Sequence, residues 1–417
     1  MRLEDIGFYT LEDNRAKNSC INSPLWRNEL IITSRCNFKC PYCRGTDING
    51  QQGDMPLEDI KKVIDLWSKN NIQNVRFSGG EPTIHKNIKD IIAYTKNNCK
   101  DIKHIAISTN GYSNLDLYYD LIRLGVNDFS ISLDACCSSI GDIMSGGVKG
   151  SWNKVVENIK VLSNLTYVTV GVVFDKQNSQ DMRDTIIFAH DLGVSDIRII
   201  SAAQWNDFSI FENLDIPEEI LSQHPILKYR INNFKNKRNV RGIKDTDSHR
   251  CGLVIDDMII KGDYHYPCVI KMREGCKPIG EISDPNLREI RYQYYKNHDC
   301  YKDEICRKNC LDVCIDYNNK FERYRIAKSR LLKINSSNFT WDKWAAGSVN
   351  DFGIPCRYEK LTSSESKSIL NNYVIGWNYG ENIPCRPKEN HIAVMFEKDD
   401  NQFWFHVRNN EFIEIFA

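Results

Sequence analysis

The chain has 417 residues, with 55 lysines and arginines against 55 aspartates and glutamates, so it carries no net formal charge. That length exceeds one ordinary core and predicts two or three domains, and the charge balance excludes the global basic field that draws nucleic acid or a membrane surface. The opening MRLEDIGFYT lacks a basic segment followed by an apolar run, and no apolar stretch reaches the length of a membrane span, so a cytoplasmic protein is expected.

Taken in order, Glu29 to Ser34 (ELIITS) is a β-branched apolar run that predicts a strand. It ends at Cys36-Asn37-Phe38-Lys39-Cys40-Pro41-Tyr42-Cys43. Three thiolates on one short loop can hold three corners of a cubic iron–sulfur cluster and leave the fourth iron open to another ligand. The bland alternative is a zinc site, which favours closed thiolate sets. Leu57 to Lys69 has helical spacing, with Ile60, Val63, Ile64 and Trp67 on one face. Asn74 to Phe77 predicts a second strand, ending at Ser78-Gly79-Gly80-Glu81-Pro82, and Ile88 to Asn97 a helix. Lys103 to Ser108 predicts a third strand, ending at Thr109-Asn110-Gly111, followed by a helix over Leu115 to Leu124. Asp128 to Leu133 (DFSISL) predicts a fourth, ending at Asp134, followed by a helix over Trp152 to Leu162. Tyr167 to Phe174 and Asp196 to Ile200 are the fifth and sixth strands, with a helix over Met182 to Leu192 between them. Six strand–helix units in series mean an α/β fold with a parallel sheet and right-handed crossovers. The cysteines and the polar or glycine motifs fall just after strand ends, the edge where such sheets bind ligands.

Sixteen cysteines need an explanation, and without a secretory signal metal or cluster ligation serves better than disulfides. Seven of them, Cys251, Cys268, Cys276, Cys300, Cys306, Cys310 and Cys314, crowd one segment. Basic runs flank it, Lys228 to Lys244 and Lys320 to Lys333; each reads either as a solvated face or as a contact for an acidic peptide, phosphate or nucleotide. The aromatic tail, Trp341 to Ala417, ends in an expected strand meander over His391 to Glu397, Phe403 to Val407 and Phe412 to Phe416, with a Lys398-Asp399-Asp400-Asn401 turn. Cys356 and Cys385 read as buried thiols or as reserve ligands.

The cysteine triplet after the first strand, the GGEP stretch after the second and the six units together resemble the radical S-adenosylmethionine (SAM) superfamily over about residues 28 to 206. The resemblance implies a partial (β/α)6 barrel whose [4Fe-4S] cluster is held by Cys36, Cys40 and Cys43, with SAM on the open iron. It implies SAM contacts from Gly79, Gly80, Glu81 and Pro82, from Thr109 and Asn110, from Ser132 and Asp134, from Arg198, and from the neighbourhood of Tyr42. The later cysteines resemble SPASM and twitch extensions, which hold auxiliary [4Fe-4S] clusters, except that Asn297 stands where that pattern has a cysteine. The family's interleaving implies one cluster on Cys251, Cys268 and Cys310 and another on Cys300, Cys306 and Cys314. Cys276 would be the candidate for the fourth position of one cluster, and that of the other would be open or taken by His298, Asp299 or a substrate thiolate or amine; one auxiliary cluster with spare cysteines, or a zinc knuckle, are the alternatives.

The implied organisation is an N-terminal extension over 1–27, the barrel over 28–240, the auxiliary cluster domain over 241–335 and a small α+β domain over 336–417. The implied chemistry is reductive cleavage of SAM to a 5′-deoxyadenosyl radical that abstracts hydrogen, driven by a reducing protein such as a flavodoxin or ferredoxin. The first reading of the substrate is a peptide or protein, and the alternative is a small molecule such as a nucleotide, sugar or cofactor precursor. A non-catalytic iron–sulfur or zinc protein is the third reading.

Overall fold

The computed structural model describes residues 15–45, 53–206, 208–335, 341–349, 355–361, 391–398, 401–408 and 411–416. Six strands come first: β1 (Arg27–Thr33), β2 (Asn74–Gly79), β3 (His104–Thr109), β4 (Asp128–Ser132), β5 (Tyr167–Phe174) and β6 (Asp196–Ser201). They pair in parallel in strict chain order. The connecting helices are α1 (Leu57–Lys69), α2 (Ile88–Asn98), α3 (Leu115–Leu124), α4 (Ser151–Ser163) and α5 (Met182–Asp191). A singly wound parallel sheet places all its helices on one face and curls the other face into a lumen.

Each strand divides its side chains between the two faces. On β4, Phe129 and Ile131 have no exposed surface and pack in the main core, whereas Asp128 and Ser130 line the lumen. Likewise Phe77 packs outward on β2 while Arg76 turns inward, and Ile197 and Ile199 on β6 flank an inward Arg198. The period of two is that of any strand; here it separates a helix-covered apolar face from a polar cavity. The core helices supply the matching apolar stripe, as in α1, where Ile60, Val63, Ile64 and Trp67 are all fully buried.

The sheet continues past its first strand. β7 (Asp257–Lys261) pairs in parallel with the free edge of β1, and β8 (Tyr264–Tyr266) and β9 (Gly280–Glu281) follow antiparallel. The result is an open nine-stranded sheet in the order β6-β5-β4-β3-β2-β1-β7-β8-β9. The cysteine-rich segment is therefore continuous with the barrel, and residues 19–318 form one compact unit. The helices that matter here are α6 (Pro225–Lys235), α7 (Leu287–Asn297) and α8 (Glu304–Asn309).

Arg291 on α7 is fully buried and donates to the carbonyls of Val254, Asp257 and Tyr266, and its Nη1 lies 2.9 Å from His265 Nδ1. His265 is completely buried, so burial first and the adjacent guanidinium second draw its pKa down to about 3. Its folded pKa lies below the unfolded value of about 6.5, so its contribution is present above that value and is lost as pH falls. At pH 5 the loss is about 2 kcal/mol. Urea unfolding at pH 7.5 and 5 should show that loss in the wild type and a smaller one in His265→Gln, whose amide oxygen can still accept from Arg291.

The second unit comprises residues 14–18 and 319–417. Its sheet contains β10 (Trp341–Val349), β11 (Pro355–Leu361), β12 (His391–Lys398), β13 (Asn401–Arg408) and β14 (Glu411–Phe416), antiparallel in the order β11-β10-β12-β13-β14. The last three strands are the expected meander, and the described part of residues 336–417 is all strand. Cys356 falls on β11; Cys385 and the turn residues 399–400 lie outside the described residues.

Candidate active site

The loop that carries Cys36, Cys40 and Cys43 is pinned from several directions. The N–H of Gly80 donates to the Thr33 carbonyl and that of Glu81 to the Arg35 carbonyl, both at 2.8 Å. This approach requires glycine: a Cβ at Gly79 would stand 2.2 Å from the Thr33 oxygen and one at Gly80 2.1 Å from the Arg35 oxygen. Asp54 accepts from Thr33 Oγ1 and the Arg35 guanidinium, Asn110 Nδ2 donates to Asn37 Oδ1 at 2.7 Å, and Lys39 N donates to the Ser145 carbonyl. Tyr42 Oη donates to Asp134 Oδ2 at 2.5 Å, while Gln204 Nε2 donates to the Tyr42 carbonyl. The ends of β1, β2, β3, β4 and β6 thus all reach the loop.

The thiols themselves stay accessible, with Cys36 and Cys43 exposed and Cys40 half-buried. Burial, then Asp134 and the two other thiols, pushes Cys40 up to about 12, and burial raises Cys36. Three mutually repelling thiolates next to a carboxylate suit a polycationic centre, which supplies the positive charge that ligation needs. A single zinc ion draws its sulfurs to roughly 4 Å of one another. The loop thiols are not so gathered: among the described residues the set of donors within 4.8 Å of one another is His298, Cys300 and Cys306.

The other expected site residues fall into three groups. Glu81 is 1 % exposed, and its carboxylate accepts from Thr83 N, Thr83 Oγ1, Thr109 Oγ1 and Asn110 N. It ties the ends of β2 and β3 together from inside, with Pro82 and Thr109 buried beside it. Asn110, Tyr42 and Asp134 hold the cysteine loop, and burial lifts the Asp134 carboxyl to about 6. Ser132 is exposed at the end of β4, and Arg198 lies deeper in the lumen, with Nη2 3.3 Å from Ser130 Oγ.

One cavity of about 390 Å³ runs from Cys43 and Gly79 through the lumen to Cys251, Cys268, Cys300, Cys306, Cys310 and Cys314. All six thiols line this cavity, and Cys300 shares hydrogen bonds with both Cys251 and Cys306. The shared proton lowers Cys251 and raises Cys300, while burial pushes Cys314 up to about 12. Cys276 stands aside, near Lys271 and Asp303, and does not line the cavity.

The cavity wall was not foreseen from the sequence. Among the described residues it carries eight cationic side chains (Arg27, Arg44, Arg76, Arg198, Arg230, Arg241, Lys271 and Arg273) against three carboxylates, Glu29, Asp128 and Asp257. Arg27 pairs with Asp257, Arg76 with Asp128, Arg230 with Asp312, Lys271 with Asp303 and Arg44 with Glu274. Arg198, Arg241 and Arg273 have no carboxylate partner among the described residues. Arg241 is 7 % exposed, with Nε and Nη1 unbonded; burial first, then Arg44, Arg230 and Arg273, bring it down to about 10. Arg230 and Arg241 belong to the basic run noted above, so those two face inward while Lys235, Lys237 and Lys244 are exposed. The available signal was that run, together with the polar residues alternating along otherwise apolar strands.

An open, singly wound parallel sheet with three cysteines on the loop after its first strand is the architecture of a radical SAM enzyme. The radical SAM superfamily profile matches residues 30–189. It is 27 % identical over 318 residues to a probable GTP 3′,8-cyclase of Sulfurisphaera tokodaii, covering 75 % of this chain and 93 % of that one. A probable GTP 3′,8-cyclase of Saccharolobus solfataricus is 29 % identical over 182 residues, 42 % of this chain and 57 % of that protein. The fold resembles that of Streptococcus suis SuiB solved with S-adenosylmethionine, with a TM-score of 0.50 at 14 % identity over 71 % of this chain and 70 % of that one. No helix among the described residues is long and apolar enough to cross a membrane.

Proposed function

We propose that this radical SAM enzyme acts on a small phosphate-bearing molecule of the nucleotide class, bound in the barrel lumen. The observation that carries the reading is Arg241, buried with two unbonded nitrogens and facing three other guanidinium groups. Arg241 and Arg273, which have no carboxylate partner among the described residues, would be stabilised by an anionic ligand, and phosphate is the anion that guanidinium groups bind in bidentate fashion. The cavity volume of about 390 Å³ suits a small ligand. The relatives whose names carry a nucleotide substrate point the same way. These observations favour the small-molecule alternative over the peptide reading.

Cys36, Cys40 and Cys43 are the proposed ligands of the SAM-binding cluster, and thiols of the Cys251 to Cys314 group those of one or more auxiliary clusters. With SAM bound, such a cluster supplies the electron, drawn from a flavodoxin- or ferredoxin-type donor, that releases a 5′-deoxyadenosyl radical. The chain itself supplies placement. Gly79 and Cys43 bring the SAM pole to the cavity mouth, Arg241, Arg273 and Arg198 hold the phosphates, and the walls exclude water.

Equilibrium binding of GTP, guanosine and a short acidic peptide tests the reading. GTP should bind, and Arg241→Ala should weaken it about 10- to 100-fold, the worth of one charge-assisted contact, with guanosine unaffected. Binding of the peptide in place of GTP, or GTP binding indifferent to Arg241→Ala, would overturn it.

A further inference from the structure

We propose that His298, Cys300 and Cys306 hold a single zinc ion, at a metal site separate from any iron–sulfur cluster of this region. The inference does not depend on the substrate class. The three side chains present donor atoms that all lie within 4.8 Å of one another, and His298 Nε2 is 4.0 Å from Cys306 Sγ. One ion draws its ligands to that spacing, whereas a cubic cluster spreads its sulfurs further, each on its own iron. Two thiolates and an imidazole are donors that zinc takes, while magnesium, calcium and manganese favour oxygen. All three residues line the cavity, and three protein donors leave a fourth tetrahedral position for water or a cavity ligand. Cys251 shares a hydrogen bond with Cys300 but falls outside the mutually close set. With Cys300 and Cys306 on zinc, Cys251, Cys268, Cys310 and Cys314 remain on the cavity wall, as many thiolates as one closed [4Fe-4S] cluster takes.

Each donor is held by its own backbone. His298 follows the last residue of α7; its N–H donates to the Tyr294 carbonyl, and its own carbonyl accepts from Arg250 Nη1, both at 2.9 Å. Its ring stacks on that of Tyr294, with centroids 4.5 Å apart. Cys300 is buried, and its N–H donates to the His249 carbonyl at 2.9 Å. Cys306 lies in the first turn of α8, where its N–H donates to the capping residue Asp303 at 2.8 Å. The nearby charges are already engaged. Asp303 Oδ2 lies 3.6 Å from His298 Nε2, but it accepts from Lys271 Nζ at 2.6 Å, which also offsets the ammonium that would oppose a cation here. Asp299 accepts from the N–H groups of Tyr301 and Lys302. These bonds run through backbone atoms and carboxylates, so Nε2 and the two sulfurs are left facing one another.

The test uses the full chain without a polyhistidine tag, purified anaerobically and given zinc, with metal content measured before and after loading with iron and sulfide. About one zinc per chain should be present at both stages, and zinc-edge X-ray absorption should show two sulfurs at about 2.3 Å and nitrogen or oxygen at about 2.0 Å. His298→Ala should lower bound zinc at limiting metal by more than the roughly 10-fold that loss of an outer-shell partner costs, with iron unchanged. Cys306→His should keep zinc and exchange one of the two sulfurs for nitrogen, which separates lost ligation from lost folding. Zinc absent from the wild type, zinc displaced as iron and sulfide are loaded, zinc retained in His298→Ala, or two sulfurs persisting in Cys306→His would each overturn the assignment.

Discussion

Alanine in place of Cys36, Cys40 or Cys43 is expected to cut 5′-deoxyadenosine formation from SAM by at least about 1,000-fold, while the barrel stays folded. The size of the effect follows from the group removed: without it the electron has no route to SAM, and residues that act as a unit fail together. The barrel should survive because the loop is anchored by other atoms. The Thr33 and Arg35 carbonyls, the Asn37 amide and the Tyr42 hydroxyl hold it to β2, β3 and β4. Cys36 and Cys43 are exposed, so truncating them leaves no core cavity. The measurements are 5′-deoxyadenosine by chromatography, iron per chain and a thermal melt. Wild-type rates in all three variants would remove the triplet from the chemistry; a collapsed melt would mean that the loop is structural instead.

Much of the barrel was legible in the sequence. α1, α3 and β5 have the expected bounds, and the other expected strands and helices of the barrel differ by one or two residues at their ends, while the helices Ser138–Met144 and Pro225–Lys235 were not expected. These segments combine strong periodicity with abrupt polar boundaries, and periodicity is a local property. The pairing of β7 with β1 was not legible, because β7 finds its register against a strand some 230 positions away, where Arg27 meets Asp257. The lumen charges were partly legible. Arg76, Asp128 and Arg198 sit at alternating positions in apolar strands, but nothing local states that six strands turn these residues toward one another. The auxiliary cysteines were visible as a density of one residue type. Their convergence on one cavity depends on long-range packing.

Glu81 carries the other large expected effect, and it distinguishes two roles that sequence could not separate. As part of the GGEP stretch it was expected to contact SAM. Its carboxylate instead accepts four hydrogen bonds inside the fold, two from Thr83, one from Thr109 Oγ1 and one from Asn110 N, at 2.6 to 3.0 Å. Burial raises its pKa, and these donors oppose that rise. Glu81→Ala removes the acceptor from all four at a site 1 % exposed. Stranding several buried donors costs on the order of 3–5 kcal/mol. Glu81→Gln keeps one acceptor oxygen but turns an amide N–H₂ toward a donor, so a smaller loss of about 1–3 kcal/mol is expected. Asn110 is freed in both variants, and through its bond to Asn37 the cysteine loop loosens, so iron content should fall together with stability. Urea unfolding, iron analysis and SAM binding on the same preparations decide between the roles. A buried rivet predicts that stability falls first, in the order glutamate, glutamine, alanine, with SAM affinity following iron content. Unchanged unfolding with selectively weakened SAM binding would return Glu81 to direct contact with the cofactor.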